Sequence, residues 1–189
     1  MIDPRFFSGQ LLLALPGIGD PRFERAVIAM CVHDEGGALG IGLGAAHESM
    51  TVRQLMTGID LDPGLTPEDA PVHIGGPVEP ARGFVLHSPD YEGQGTLMVG
   101  DLWALSANLD ILKSISAGKG PARWLLALGY AGWSEGQLDE ELMRHGWLTL
   151  DGAGAGPILY ETAPDQRWPR AFAQIGVDVA HLAAGAGRA

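Results

Sequence analysis

Over the first third of the chain, apolar residues fall in short dense runs rather than long helical stripes. Leu11-Leu12-Leu13-Ala14-Leu15, with Phe6-Phe7 ahead of it, predicts a buried first strand stopped by Pro16-Gly17. Beyond a turn at Asp20-Pro21, residues 26–33 are apolar and partly β-branched, which predicts a second buried strand. Asp34-Glu35-Gly36-Gly37 turns the chain, and residues 38–43 return as its hairpin partner. The period then lengthens. Val52, Leu55, Met56 and Ile59 share one helical face, with Ser49 as the expected N-cap. Residues 62–71 carry three prolines and three acids, which predicts a solvated loop.

Short strands are predicted at 72–74, 83–87 and 96–99. Ser106 is expected to cap a helix running to Ala117, with Leu109, Leu112 and Ile115 inward and Gly118 as a left-handed stop. The apolar run 124–128 leads into Gly129-Tyr130-Ala131-Gly132-Trp133, read as a turn that feeds a helix. Ser134 and Gln137 have capping-box spacing, and Glu135 suits the positive end of the helix dipole. Leu138 and Leu142 share a face, with Trp147 just beyond the helix to cover them. Residues 152–156 read as a flexible connector, 158–160 as a last strand, 169–175 as a final helix and 183–189 as a frayed tail. Hairpin-length links early and helices later give an α+β class with a mixed sheet in a single domain over residues 1–189.

Composition narrows the function classes. With 46% hydrophobic and 19% charged residues the chain is an ordinary globular one, long enough to bury a core. No apolar run approaches the roughly 18 residues of a membrane helix, and the first residues lack the pattern of a signal peptide. The lone Cys31 permits no internal disulfide, in keeping with a reducing cytoplasm. A formal charge of −11 disfavours direct DNA contact, because no basic stripe offers itself to phosphates.

Taken together, Gly9-Gln10-Leu11-Leu12 with Pro16 and Asp20, His33 with Gly37-Ala38-Leu39-Gly40, and Gly75-Gly76-Pro77-Val78 resemble the AlgH/YqgE family of bacterial proteins. Leu86-His87, Gly129–Trp133 with Gly136-Gln137-Leu138, Trp147 and Gly176-Val177-Asp178 continue the likeness over nearly the whole chain. The resemblance implies a compact α+β domain with a bifurcated or barrel-like sheet surrounded by helices. It also implies a cytosolic protein without a settled activity, in a family with some members labelled transcriptional regulators. The chain departs from the pattern at Gly44-Ala45-Ala46, where the family more usually has Asn-Arg-Pro.

Candidate chemistry is sparse. His33, His73 and His87 stand at strand ends or beside a glycine turn, with Cys31 two residues before His33, and three imidazoles have the ligand types of a zinc site. Yet no HxH, HExxH or CxxC spacing supports one, so no metal is expected. Gly75-Gly76-Pro77-Val78-Glu79 is the better candidate. Its glycines can expose consecutive amides to an anion, with His87 on the following strand, although a plain tight turn is the favoured reading. Gly40-Ile41-Gly42-Leu43-Gly44 lacks the helix that a dinucleotide fold needs, and Gly118-Lys119-Gly120 is no P-loop, so no cofactor is expected. Among nucleophiles, Cys31 lies in an apolar strand that blunts its thiol, Ser134 is taken up as a cap, and no elbow motif surrounds Ser88. The acids Asp139, Glu140 and Glu141 read as a solvated helix face. The leading expectation is a non-enzymatic binding or regulatory domain acting through a protein partner or small ligand, at a site built from His33, Gly75, Gly76, Pro77 and His87. The alternative is a hydrolase or transferase using His33 and His87 around the Gly75-Gly76 loop.

Overall fold

The computed structural model describes residues 6–144 and 146–186. Four strands come first: β1 (Gln10–Ala14), β2 (Val27–Asp34), β3 (Gly37–Gly42) and β4 (Ala46–Thr51). Helix α1 (Val52–Gly58) precedes β5 (Pro71–Ile74), β6 (Val78–His87), β7 (Leu97–Val99) and β8 (Trp103–Ser106). Then follow α2 (Leu109–Ser116), β9 (Trp124–Ser134), α3 (Gln137–Met143), β10 (Trp147–Asp151), α4 (Gly156–Tyr160), α5 (Pro164–Gln174) and α6 (Val179–Ala186). The strands join into one curled sheet, a half-barrel, in the order β10-β1-β2-β3-β9-β6-β8-β7.

The sheet forks at β9. The first half of this strand takes β5 in parallel (Val72 opposite Leu126, Ile74 opposite Leu128) and, on the other edge, β6 antiparallel (Val85 opposite Leu126). Its second half takes β3 instead, from Gly37 opposite Ser134 to Gly40 opposite Ala131. Between the halves Gly129 adopts a left-handed φ of 75°. One branch therefore leads through β5 to β4, and the other through β3 to β2, β1 and β10.

Both faces of β1 and β2 are covered, which is why their sequences are continuous apolar runs rather than alternating ones. Leu11, Leu13, Val27, Ala29 and Cys31 point into the main core with Ile158, Leu159, Trp168 and Phe172 of α4 and α5. Leu12, Ala14, Ile28 and Met30 point the other way, into a core closed by Trp133, Trp147 and Leu138 of α3. A third core lies under α1 and α2, where Val52, Met56, Ile111, Leu112 and Ile115 meet Val72, Val85 and Leu126.

The α+β class, the mixed fork and β2–β3 stand as expected, while several local readings are corrected. Phe6-Phe7 precede the first strand instead of opening it. Ser49 lies in β4, and Thr51 caps α1 through a full capping box with Gln54. Ile59 and Leu109 are exposed rather than inward, since each sits at a helix end, past the apolar stripe. Ser106 ends β8, and Asn108 caps α2 in its place. The residues read as a Gly-Tyr-Ala-Gly-Trp turn continue β9, because Gly129 bends the strand without breaking it. Only half of the Ser134–Gln137 box forms. The Gln137 side chain accepts from the Ser134 amide and hydroxyl, and Gly136 is the N-cap. Trp147 opens a strand that pairs with the whole of β1. The presumed connector at 152–156 is packed, with Gly152 and Ala155 buried. Ile158, Leu159 and Tyr160 are helical, since Pro157 at the first turn presets helical φ. The final helix begins at Pro164, five residues earlier than expected, and much of the supposed tail lies in α6; residues 187–189 lie outside the described chain.

Candidate functional site

The histidines that the sequence singles out are buried and separately engaged. His33 on β2 accepts the Phe7 amide at Nδ1 (3.0 Å) and stacks on the Phe7 ring. Its Nε2 therefore carries the proton and faces Asp139 Oδ2 at 3.7 Å. His87, at the end of β6, joins a hydroxyl chain. Its Nδ1 donates to the Ser88 carbonyl (2.8 Å), so Nε2 accepts from Ser106 Oγ (3.0 Å), which in turn meets Thr96 Oγ1 at 2.8 Å. Burial lowers the His87 pKa, with the Ser88 carbonyl and Asp90 opposing. Ser106 and His87 have the spacing of a nucleophile and base, but the serine is 1% exposed and the imidazole is oriented by a peptide carbonyl rather than an acid.

His33 and His87 do not come together. Ala38 links His33 to Trp133, while His87 is opposite Trp124 at the other end of β9. At about 3.3 Å per residue this is roughly 30 Å of strand, which removes the geometry of a shared hydrolase or transferase site. The Gly75–Pro77 turn also lies at the end of β6 opposite His87, so the expected neighbourhood of that imidazole and the turn is absent. Cys31 is buried, and desolvation pushes its thiol up to about 12. No group of three or more His, Cys, Asp or Glu fit to hold a metal occurs among the described residues.

The glycine turn proves to be both structural and open. A Cβ on Gly75 or Gly76 would overlap the backbone of Gly129 or Tyr130, so these glycines let β5 and β6 close onto the bend of β9. Gly42 donates its amide to the Gly75 carbonyl at 2.7 Å. Gly44 lies against Arg25, whose φ of 56° is itself left-handed. Gly42 and Gly44 thus serve close backbone approach, while Gly40 leaves room for the Ile28 and Met30 side chains, and this explains the superficial fingerprint.

On their outer side these turns wall a cleft of about 490 Å³, the fork cleft. Residues 21–28 form its facing wall, with Gly42, Gly44, Ala45 and Ile74–Pro77 opposite. Its walls are mainly backbone and apolar side chains. Arg22, held by Asp20 at 2.6 Å, and Arg25, over the Trp168 ring at 5.2 Å, are its cations. Gly75, Gly76 and Pro77 are therefore assembled with the Gly44-Ala45 departure, while His33 and His87 stand outside. Sequence reasoning missed residues 21–28 as a wall, since Asp20-Pro21 signals only a turn.

It also missed a buried pair. Arg167 of α5 donates through Nη1 to His73 Nε2 (2.6 Å) and to the Leu43 carbonyl (2.7 Å). His73 donates through Nδ1 to the Leu126 carbonyl (2.9 Å) and is neutral, its pKa lowered to about 4 by burial and then by the guanidinium.

The AlgH-like family matches residues 11–180. A UPF0301 protein of Sphingopyxis alaskensis is 54% identical over 98% of both chains, and one of Rhizorhabdus wittichii is 53% identical over 100% of both. The solution structure of AlgH from Pseudomonas aeruginosa is 34% identical with a TM-score of 0.79, covering 100% of this chain and 99% of that one. Protein DIP2367 of Corynebacterium diphtheriae, 16% identical with a TM-score of 0.75 over 96% of this chain and 93% of that one, shares the fold alone. No helix among the described residues is long and apolar enough to cross a membrane. On the match over residues 11–180 and on these relatives, the chain belongs to the AlgH-like family of bacterial proteins.

Proposed function

We propose that the chain is a non-catalytic binding domain of the bacterial cytoplasm that takes a small ligand in the fork cleft and acts through its occupancy on a partner protein. One observation carries this reading. Two glycine-walled turns far apart in sequence, at 42–45 and 74–77, converge with residues 21–28 on a single concavity of about 490 Å³. That volume is in the range of small-molecule sites, roughly 300–1,000 Å³, and its mix of apolar walls with a few polar groups is what such sites present. Gly75, Gly76 and Pro77 form its floor in this reading, and Arg22 and Arg25 fix the orientation of a polar end. Direct contact with DNA has no part in it, given the charge of −11.

The test is a screen of small metabolites by amide chemical shifts on the ¹⁵N-labelled full chain. Bound compounds are expected to move the amides of Gly44, Ala45, Gly75 and Gly76. Ala45 is exposed, so Ala45→Trp fills the cleft at little cost in stability and is expected to abolish those shifts. Compounds whose shifts map elsewhere, or that bind the Ala45→Trp variant equally well, would overturn the proposal.

A further inference from the structure

The segment that separates the fork cleft from its neighbour holds an arginine in a glycine's place. Phe23, Glu24, Arg25 and Ala26 close a turn in which the Ala26 amide donates to the Phe23 carbonyl at 3.0 Å. Glu24 at φ −57° and ψ 125°, followed by Arg25 at φ 56°, matches a type II turn. The third position of such a turn favours glycine, since a side chain there crowds the backbone. The facing strand makes room with Gly44, where a Cβ would come within 2.9 Å of the Arg25 carbonyl. Nothing in the turn calls for arginine, so the reason for the strain lies in what the side chain does.

The Arg25 guanidinium lies over the Trp168 ring, 5.2 Å from its centroid, and among the described residues no carboxylate pairs with it. Arg22, the other cation of the fork cleft, is already held through Nε and Nη2 by Asp20. Arg25 is exposed, and a stack on an indole is weak beside a charge-assisted pair of hydrogen bonds to an anion. An anion within reach therefore takes the guanidinium from the ring.

Trp168 itself is fixed. Its ring is 7% exposed, its Nε1 donates to the Ala14 carbonyl at 2.9 Å, and it packs on Phe172 at 4.8 Å. It walls a second, more apolar cleft of about 600 Å³ together with Leu15, Ile18 and Val179. Pro21, Glu24 and Arg25 line both clefts, so the turn is a partition with Arg25 on it. In this structure the guanidinium rests on the Trp168 side.

We propose that Arg25 is the switch of the fork cleft: a small organic anion bound there draws the guanidinium across the partition and uncovers the Trp168 face to the second cleft. This rests on the fork-cleft reading and adds to it the charge of the ligand and the route by which occupancy reaches α5 and α6. A single negative charge suits the site, since Glu24 lines the same wall as Arg25. Phe23, Ile28, Ile74 and Pro77 meet the apolar body of the ligand.

The experiment follows ¹⁵N–¹H spectra of the full chain while sodium benzoate is added at pH 7 and constant ionic strength, with benzyl alcohol as the uncharged counterpart. Benzoate is expected to move the Gly44 and Gly76 amides and the Trp168 indole N–H together, saturating at the same concentration. Benzyl alcohol is expected to bind at least tenfold more weakly and to leave the indole in place. Arg25→Gly is expected to fold, because glycine takes the left-handed φ freely, and to bind benzoate at least tenfold more weakly with no indole response. Benzoate no more effective than benzyl alcohol or sodium chloride would overturn the proposal, as would fork-cleft shifts with a still indole. Both are read on the parent chain, need no variant to fold, and leave the fork-cleft reading standing. An indole response that survives Ala45→Trp would place benzoate in the second cleft and would also overturn the switch. A fork cleft that none of the screened metabolites enters overturns that reading and this inference together.

Discussion

At the scale of single residues the chain stores its polar groups as satisfied or half-satisfied interior contacts rather than as reactive ones. His73 gives this a measurable consequence. In the folded state its ring protonates only near pH 4, because burial and Arg167 oppose the charge, whereas the unfolded chain binds that proton near 6.5. Between those values the unfolded state holds more protons, so stability falls as pH drops from about 6.5 to about 4 and is unaffected above. The difference of about 2.5 pH units corresponds to about 3 kcal/mol. The groups around the ring are Arg167, bonded to its Nε2, and Asp69, Arg123, Tyr160 and Glu161, which line a surface cleft together with it. Denaturant unfolding at pH 7, 5.5 and 4.5 measures the slope. His73→Gln keeps an acceptor for Arg167 without a titrating ring, and it is expected to flatten that slope by about half or more. His87 contributes in the same direction, since burial lowers its pKa too.

At the scale of elements, what the sequence announced and what it hid follow from where each segment finds its partner. β1 and β2 were legible because both faces are buried, which leaves an apolar run no other environment explains. The Gly75-Gly76 turn was legible as a special backbone, although its second role as a cleft wall depends on residues about 30 and 50 positions away. β10 was hidden because Trp147–Asp151 is half polar and becomes a strand only through its pairing with β1. Pairs such as Arg167 with His73, 94 residues apart, leave no local pattern at all. Helix α3 shows the same dependence. Glu141, on what reads as a solvated acidic face, accepts the indole N–H of Trp133 (2.9 Å) and of Trp147 (3.0 Å) at one oxygen, and so ties the helix to β9 and β10. Glu141→Ala would strand two buried indole donors and is expected to cost on the order of 2 to 3 kcal/mol, with a change in tryptophan fluorescence. Glu141→Gln retains an acceptor and is expected to lose less than half of that. Equal losses for the two variants would assign the effect to charge instead of hydrogen bonding.

At the scale of the whole molecule, β9 decides how the fold comes apart. Leu125 and Ala127 face the core under α4 and α5, Ala131 and Trp133 face the one under α3, and Leu126 faces the one under α1 and α2. Neither branch of the fork keeps a finished core once β9 leaves, so the two should not melt independently despite their different neighbours. Leu12→Ala on the β1 branch and Val72→Ala on the β5 branch each open a cavity at a fully buried site. Each is expected to lower a single shared transition by about 1 to 4 kcal/mol. Near-ultraviolet circular dichroism reports on tertiary packing around the five tryptophans, Trp103 and Trp168 in the main core, Trp133 and Trp147 in the core under α3 and Trp124 beside the third, while far-ultraviolet dichroism reports on all strands and helices. If the fork is held by one strand, both signals give the same midpoint in the parent chain and in each variant. Midpoints that separate in Val72→Ala alone would show that the β4–β5 branch opens without the rest, and that the fork cleft between the branches is a hinge instead of a fixed wall.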